Sequence, residues 1–334
     1  MCAFCTQIDP PTPYHGLDPD TVLAALEAAG WPASGSLLAL NSYENRVYQV
    51  GLADGGFVVA KFYRPGRWSD EAILEEHAFA LELAAAEVPV VAPLPGPDGT
   101  TLLRHGGFRF AVYPRRGGRA PEPGDPDTLR RLGRFLGRLH AVGAAGRFAH
   151  RPRLSVERLG REPRRFLCRG EVVPAEVRHN FCGAAEALLE GIAERFEQVG
   201  PLPTLRLHGD FHPGNVLWTD QGPHVVDLDD CMTGPAIQDL WMLLSGSRGE
   251  MEAQLRVLLE GYTEFADFDP LALHLVEALR GLRMIHYCAW LARRWSDPAF
   301  PRHFPWFGTP RYWEEQMIGL REQAERLAAP PLRP

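Results

Sequence analysis

Between Leu207 and Trp218 the chain reads LHGDFHPGNVLW, which gathers His208, Asp210, His212 and Asn215 into eight residues. Two histidines with a carboxylate between them are raw material for a zinc site. A carboxylate followed five residues later by an amide suits a loop that handles Mg²⁺ and phosphates instead. The continuation, TDQGPHVVDLDD, favours the second chemistry. Asp220-Gln221-Gly222-Pro223 has the composition of a turn, and Val216–Trp218 and His224–Val226 flank it as short strands. Such a hairpin returns Asp227 to the side of Asn215. A carboxylate and an amide oxygen are hard donors that suit Mg²⁺ better than zinc. The histidines are then expected to brace the loop through hydrogen bonds, and a zinc hydrolase is the weaker reading.

A second signal lies in the composition. Lys61 is the only lysine, and the other 34 of the 35 basic residues are arginines (35 minus 1). A coding bias towards Arg does not explain why one position kept Lys. A compact ammonium is required where a charge must reach a defined point. Lys61 closes the run VVAKF, and the helix-like ILEEHAFALEL that follows carries Glu75 and Glu76. A lysine on a strand, an acid on the next helix, a carboxylate to receive a hydroxyl proton and two Mg²⁺ ligands are together what phosphoryl transfer from ATP requires.

The elements that must position these groups can be read along the chain. PDTVLAALEAAG predicts a short helix ending at Gly30, and residues 31–113 read as strands around turns with one helix after Ser69. Ala53–Gly56 and the stretch Thr100–Pro114 carry hairpin signals. PRRGGRAPEPGDP is a connector rich in Gly and Pro. Beyond it the pattern is helical, opening with Asp125 as cap and Pro126 at the first helical position.

Composition bounds the remaining possibilities. A net charge of -7 argues against a nucleic-acid binder. No apolar run approaches a membrane span, and the first residues lack the pattern of a secretory signal, so a cytoplasmic protein without a membrane partner is expected. Cys2 and Cys5 form a lone CxxC that lacks the second pair a zinc ribbon requires.

The spacing Asp210-x4-Asn215 with the later Asp227 resembles a protein kinase catalytic loop and its metal-binding Asp. LHGDFHPGNVLW, VVDLDD and GPAIQDL resemble the aminoglycoside phosphotransferase/choline kinase branch of that fold. With NSYENRVYQV, VVAKFYRPGRWS, ILEEHAFAL and AWLARRWSDPAFPRHFPW added, the chain resembles the bacterial stress response kinase A family, serine/threonine protein kinases of that branch, over roughly residues 15 to 330. The resemblance implies a two-lobed α+β protein-kinase-like fold. A small antiparallel-sheet lobe (1–113) would be joined by a hinge (114–124) to a larger, mainly helical lobe (125–334), with ATP and Mg²⁺ in the cleft between them. It implies Asp210 as proton acceptor, Asn215 and Asp227 as Mg²⁺ ligands, and Lys61 as the phosphate-gripping lysine. Glu76 would be its partner, with Glu75 as second choice. Ser42 falls where the phosphate-covering turn should lie, and Tyr113 sits in the FAVYP hinge that meets adenine. Asp239 in IQDL is expected to tie down the catalytic loop from a buried position.

The sequence departs from the wider kinase pattern in two ways. There is no G-x-G-x-x-G loop, and there is no room for a long activation loop after Asp227. The implied activity is ATP- and Mg²⁺-dependent transfer to Ser or Thr of proteins in a stress response, by a monomer. Autophosphorylation is expected at Thr6, Thr12 or Ser155. A small-molecule kinase acting on an aminoglycoside, choline, homoserine or a sugar is the alternative. A nucleotide-binding pseudokinase is the reading from another class, and the presence of Lys61, Asp210, Asn215 and Asp227 speaks against it.

Overall fold

The structure, a computed structural model, describes residues 12–122 and 124–334, so Cys2, Cys5 and Thr6 lie outside the described residues. The helices in chain order are α1 (Pro19–Ala28), α2 (Asp70–Ala85), α3 (Pro126–Ala144), α4 (Glu162–Arg169), α5 (Ala175–Val199), α6 (Ile237–Leu240), α7 (Arg248–Tyr262), α8 (Val276–Arg293), α9 (Ala299–His303) and α10 (Pro310–Ala328). The strands are β1 (Ala33–Ala39), β2 (Arg46–Leu52), β3 (Phe57–Phe62), β4 (Leu103–His105), β5 (Phe108–Pro114), β6 (Leu205–Leu207), β7 (Val216–Thr219), β8 (Gly222–Val225) and β9 (Met232–Gly234).

The chain forms two compact units, each assembled from separate stretches. Among the described residues, the first comprises residues 12–69, 94–115 and 294–305, and the second residues 70–93, 116–122, 124–293 and 306–334. A contiguous division at the 114–124 connector does not coincide with them. Residues 70–93, which include α2, pack with the helical unit, and residues 294–305 pack with the sheet.

The first unit is built on an antiparallel sheet with strand order β1-β2-β3-β5-β4. Side chains alternate across β3, so Val58, Ala60 and Phe62 enter the core beneath α1 with Val22, Ala25 and Leu26. Lys61 projects from the opposite face. Asp18 starts α1 by accepting the Thr21 N–H at 2.8 Å, with Pro19 at the first helical position. The returning segment 294–305 brings Phe300 (1% exposed) and the carboxylate of Asp297 (2% exposed) to this unit. Asp297 accepts Arg46 Nη2 at 3.0 Å on both oxygens and Arg64 Nη2 at 2.7 Å. Glu44 in turn meets Arg64 Nε at 2.9 Å and Arg294 Nε at 2.5 Å. The turn NSYENR between β1 and β2 is thereby pinned by charges drawn from both ends of the sequence.

The second unit is mainly helical. Asp125 caps α3 through the Thr128 N–H at 2.8 Å, as its sequence predicts. α3 runs against α7 so closely that a Cβ at Gly133 would overlap the carbonyl oxygen of Leu258. A serine–glutamate capping box, Ser247 with Glu250, starts α7. A disulfide joins Cys168 on α4 to Cys182 on α5; nothing in the sequence singled out that pair. Two small antiparallel pairs, β6–β9 and β7–β8, carry the loops described next. No helix among the described residues is long and apolar enough to cross a membrane.

Candidate active site

The loop after β6 is shaped from beneath by one buried carboxylate. Asp239, fully buried within α6, accepts the backbone N–H of His208 on Oδ2 and that of Gly209 on Oδ1, each at 2.8 Å. His140 Nε2 lies 3.1 Å from the same Oδ2, and its Nδ1 lies 2.9 Å from the Tyr262 hydroxyl. The Gln238 side-chain amide donates to the Gly209 carbonyl at 2.9 Å. Gly209 has φ +87°, and a Cβ there would overlap the carbonyl oxygen of Asp230. Only glycine fits that crossing.

His208 uses both ring nitrogens inside the loop. Its Nε2 donates to the Val226 carbonyl at 3.1 Å, and its Nδ1 accepts the Asp210 N–H at 3.3 Å. His212 caps the single turn Pro213–Asn215 by accepting the Gly214 N–H at 3.0 Å. Both histidines therefore brace the loop, and neither ring nitrogen of His208 is left for zinc.

β7 and β8 form the expected hairpin, with Val216 opposite Val225. At its base the Val226 N–H donates to the Asn215 carbonyl at 3.0 Å, which sets Asn215 and Asp227 on adjoining backbone. The Asn215 side-chain Nδ2 donates to the Asp210 carbonyl at 3.0 Å. That bond fixes the amide so that Oδ1 is the end available to a cation. Asp227 is exposed and holds a left-handed backbone, φ 65° and ψ 65°. Such a conformation costs a non-glycine residue roughly 1 kcal/mol or more and clusters at functional sites.

The Asp210 side chain is 26% exposed, with its Oδ1 2.5 Å from Arg283 Nη1 and its Oδ2 3.5 Å from His212 Nε2. Burial alone would raise this carboxyl. The His212 hydrogen bond and the Arg283 guanidinium outweigh burial and hold it well below the ordinary carboxylate range.

A carboxylate, an amide oxygen and a second carboxylate thus stand along one hairpin-supported loop. Residues 36–274 match the family model described as "Phosphotransferase enzyme family". The chain belongs to this phosphotransferase family. It is 46% identical over 319 residues, covering 96% of each chain, to "Stress response kinase A" of Escherichia coli O157:H7. It has the same identity and coverage with "Serine/threonine protein kinase RdoA" of Salmonella typhimurium. In fold it is similar to the structure of an amicoumacin kinase in complex with AMP-PNP, Ca²⁺ and Ami, with a TM-score of 0.71 at 18% identity, covering 94% of this chain and 95% of that one. The two-lobed phosphotransferase fold inferred from the motifs is therefore the fold of the chain.

The other residues singled out in this phosphotransferase fall in either unit. Lys61 lies on β3 between Val47 and Ala111, is 6% exposed, and has its Nζ 5.1 Å from the Tyr63 ring centre. Tyr113 on β5 shares a hydrogen bond of 3.1 Å with the Tyr63 hydroxyl. Ser42 is half-buried in the pinned turn between β1 and β2. These three belong to the first unit.

Within the second unit α2 separates its two acids. Glu75 accepts the backbone N–H groups of Ala149 at 2.5 Å and of His150 and Arg151 at 2.8 Å. Glu76 is 3% exposed and lies within electrostatic reach of Arg151.

Several residues at the site carried no sequence signal. Arg151, 4% exposed, donates to the carbonyls of Cys231 at 2.9 Å and Asp229 at 2.5 Å. It holds the stretch that follows Asp227. His140 and Tyr262 likewise carried none. Arg283 was one arginine among 34, and only its contact with Asp210 distinguishes it.

Proposed function

We propose that this phosphotransferase transfers the terminal phosphoryl group of Mg²⁺–ATP to Ser or Thr hydroxyls of proteins, in a bacterial stress response in the cytoplasm. The observation that carries the proposal is the loop itself. Asp210, Asn215 Oδ1 and Asp227 are held by a hairpin and a buried Asp239, in a chain 46% identical to a relative named as a serine/threonine protein kinase.

Asp210 receives the proton of the attacking hydroxyl and orients that hydroxyl towards the phosphorus. Asn215 and Asp227 supply the hard oxygen donors that fit Mg²⁺, and Mg²⁺ when bound neutralises phosphate charge. Lys61 grips the phosphates. Glu76 is its proposed partner, because Glu75 is already committed to three backbone donors. The turn around Ser42 covers the phosphates in place of a glycine-rich loop, and the backbone near Tyr113 meets the adenine. The protein acts as a monomer on other proteins and on itself. Ser155 and Thr12 are the described self-acceptors.

Radiolabelled ATP, supplied with Mg²⁺ to the purified protein alone and then with a panel of hydroxylated metabolites, tests the proposal. Label on Ser or Thr that disappears in Asp210→Ala is the expected result. Rapid turnover of one metabolite with no labelled protein would replace it with a small-molecule kinase.

A further inference from the structure

The arginine beside the proposed proton acceptor is only partly used. Arg283 projects from α8 and touches Asp210 Oδ1 through Nη1 at 2.5 Å, with the same nitrogen 4.0 Å from Met242 Sδ. Among the described residues its Nε and Nη2 have no hydrogen-bond partner, and its side chain is 44% exposed. Three N–H donors of a rigid planar fork are therefore open next to the carboxylate that receives the hydroxyl proton.

The other charges of this neighbourhood are largely matched. Arg280, one turn earlier on α8, covers the Trp241 ring at 5.4 Å and lies 3.4 Å from Glu277. α8 itself carries three arginines, Arg280, Arg283 and Arg293, against one acid, Glu277. Met242 supplies an adaptable apolar neighbour rather than a counter-charge.

We infer that Arg283 is a specificity-determining residue on the acceptor side: it takes an acidic group, a carboxylate or a phosphate, that neighbours the acceptor hydroxyl, and it disfavours cationic acceptors. The inference rests on the phosphoryl-transfer reading above and adds the acceptor's chemical class. Arginine suits this task because its fork can hold Asp210 with one nitrogen and an oxyanion with the others. A polyamine or lysine-rich acceptor would place positive charge against the guanidinium in a partly desolvated site, where like charges discriminate strongly.

The test uses two serine peptides that differ only in carrying glutamates or lysines beside the serine. The wild-type protein should phosphorylate the glutamate peptide with about tenfold higher kcat/KM or more, chiefly through a lower KM. Arg283→Glu should reverse the order of the two peptides, and Arg283→Lys should keep the original order with a smaller ratio. Mg²⁺–ATP affinity, read by calorimetry, should stay within about twofold in both variants, which also reports that they fold. Equal losses on the two peptides in Arg283→Glu would make the residue a prop for Asp210 or a nucleotide contact, and would overturn the inference. Wild-type protein that transfers to both peptides equally overturns this inference alone. Transfer to neither, with Mg²⁺–ATP still bound, overturns the protein-acceptor reading as well.

Discussion

Asp239 holds the backbone of His208 from below, its Oδ2 accepting the amide at 2.8 Å while the same oxygen meets His140 at 3.1 Å. The carboxylate is fully buried, so its removal strands two amide donors and a histidine in the core. Asp239→Ala is expected to cost about 3 kcal/mol of stability or more. Asp239→Asn should retain more stability and still lose turnover, because an amide places N–H where an acceptor is required. Urea midpoints alongside transfer rates check both statements. An Asp239→Ala protein as stable as wild type would remove Asp239 from the loop's support.

The two acids of the loop should separate binding from turnover. Asp227→Ala is expected to abolish Mg²⁺-dependent nucleotide binding, and Asp210→Ala to leave binding nearly intact while eliminating transfer. Asp210 faces Arg283 and His212, whereas Asp227 follows Val226, whose N–H bonds the Asn215 carbonyl at the hairpin base. Titration calorimetry with ATP, with and without Mg²⁺, reads the difference. Equal loss in both variants would contradict the division of labour.

Lys61→Arg preserves charge and is mild by composition, since arginine serves everywhere else in the chain. On the central strand at 6% exposure, the longer planar guanidinium cannot occupy the ammonium's point without shifting what it holds. A fall of about 100-fold in kcat/KM for ATP is expected, the scale that misplacement by an ångström produces. Near wild-type turnover would sink the assignment.

Asp297 gives the first unit an acid-sensitive joint. Burial would raise its carboxyl, but the Ala299 N–H, Arg64 and Arg46 together hold it below the ordinary value of 3.8. A depressed folded pKa contributes stability above the unfolded value and loses it as pH falls through the folded one. Wild-type protein should therefore lose stability below about pH 4. Asp297→Asn should start lower at pH 7, by about 3 kcal/mol for a broken buried pair, and then respond less to acid over the same range. Thermal melts from pH 7 to pH 3 test this. Parallel curves for the two proteins would count against the joint.

What was legible in the sequence was local. The turn at Asp220–Pro223 and the cap at Asp125 act over a few residues, and each sits where its spacing predicted; the bond from Asn215 to the Asp210 carbonyl is equally short in range. What stayed hidden was set by topology. Arg46 and Arg64 meet Asp297 across 251 and 233 residues, and Arg283 meets Asp210 across 73. Each of those arginines looks like any solvated arginine until the chain has folded. Cys168 and Cys182 are only 14 residues apart, yet their pairing depends on how α4 packs on α5. Residues 70–93 and 294–305 are hidden for the same reason: neither stretch announces which unit it packs with.

The return of residues 294–305 to the first unit has a consequence for biosynthesis. A nascent chain emerges from its N-terminus, and domains commonly fold as they appear. Here the sheet that carries Lys61 can form early, but Arg46 and Arg64 have no Asp297 to meet until most of the protein has been made. Until then Arg46 lacks its buried acid, Arg64 has only Glu44, and the turn at NSYENR is held on one side only. Products that terminate early, before residue 294, would therefore carry the lysine strand on a lobe without its counter-charge, and cellular proteases would find that lobe open.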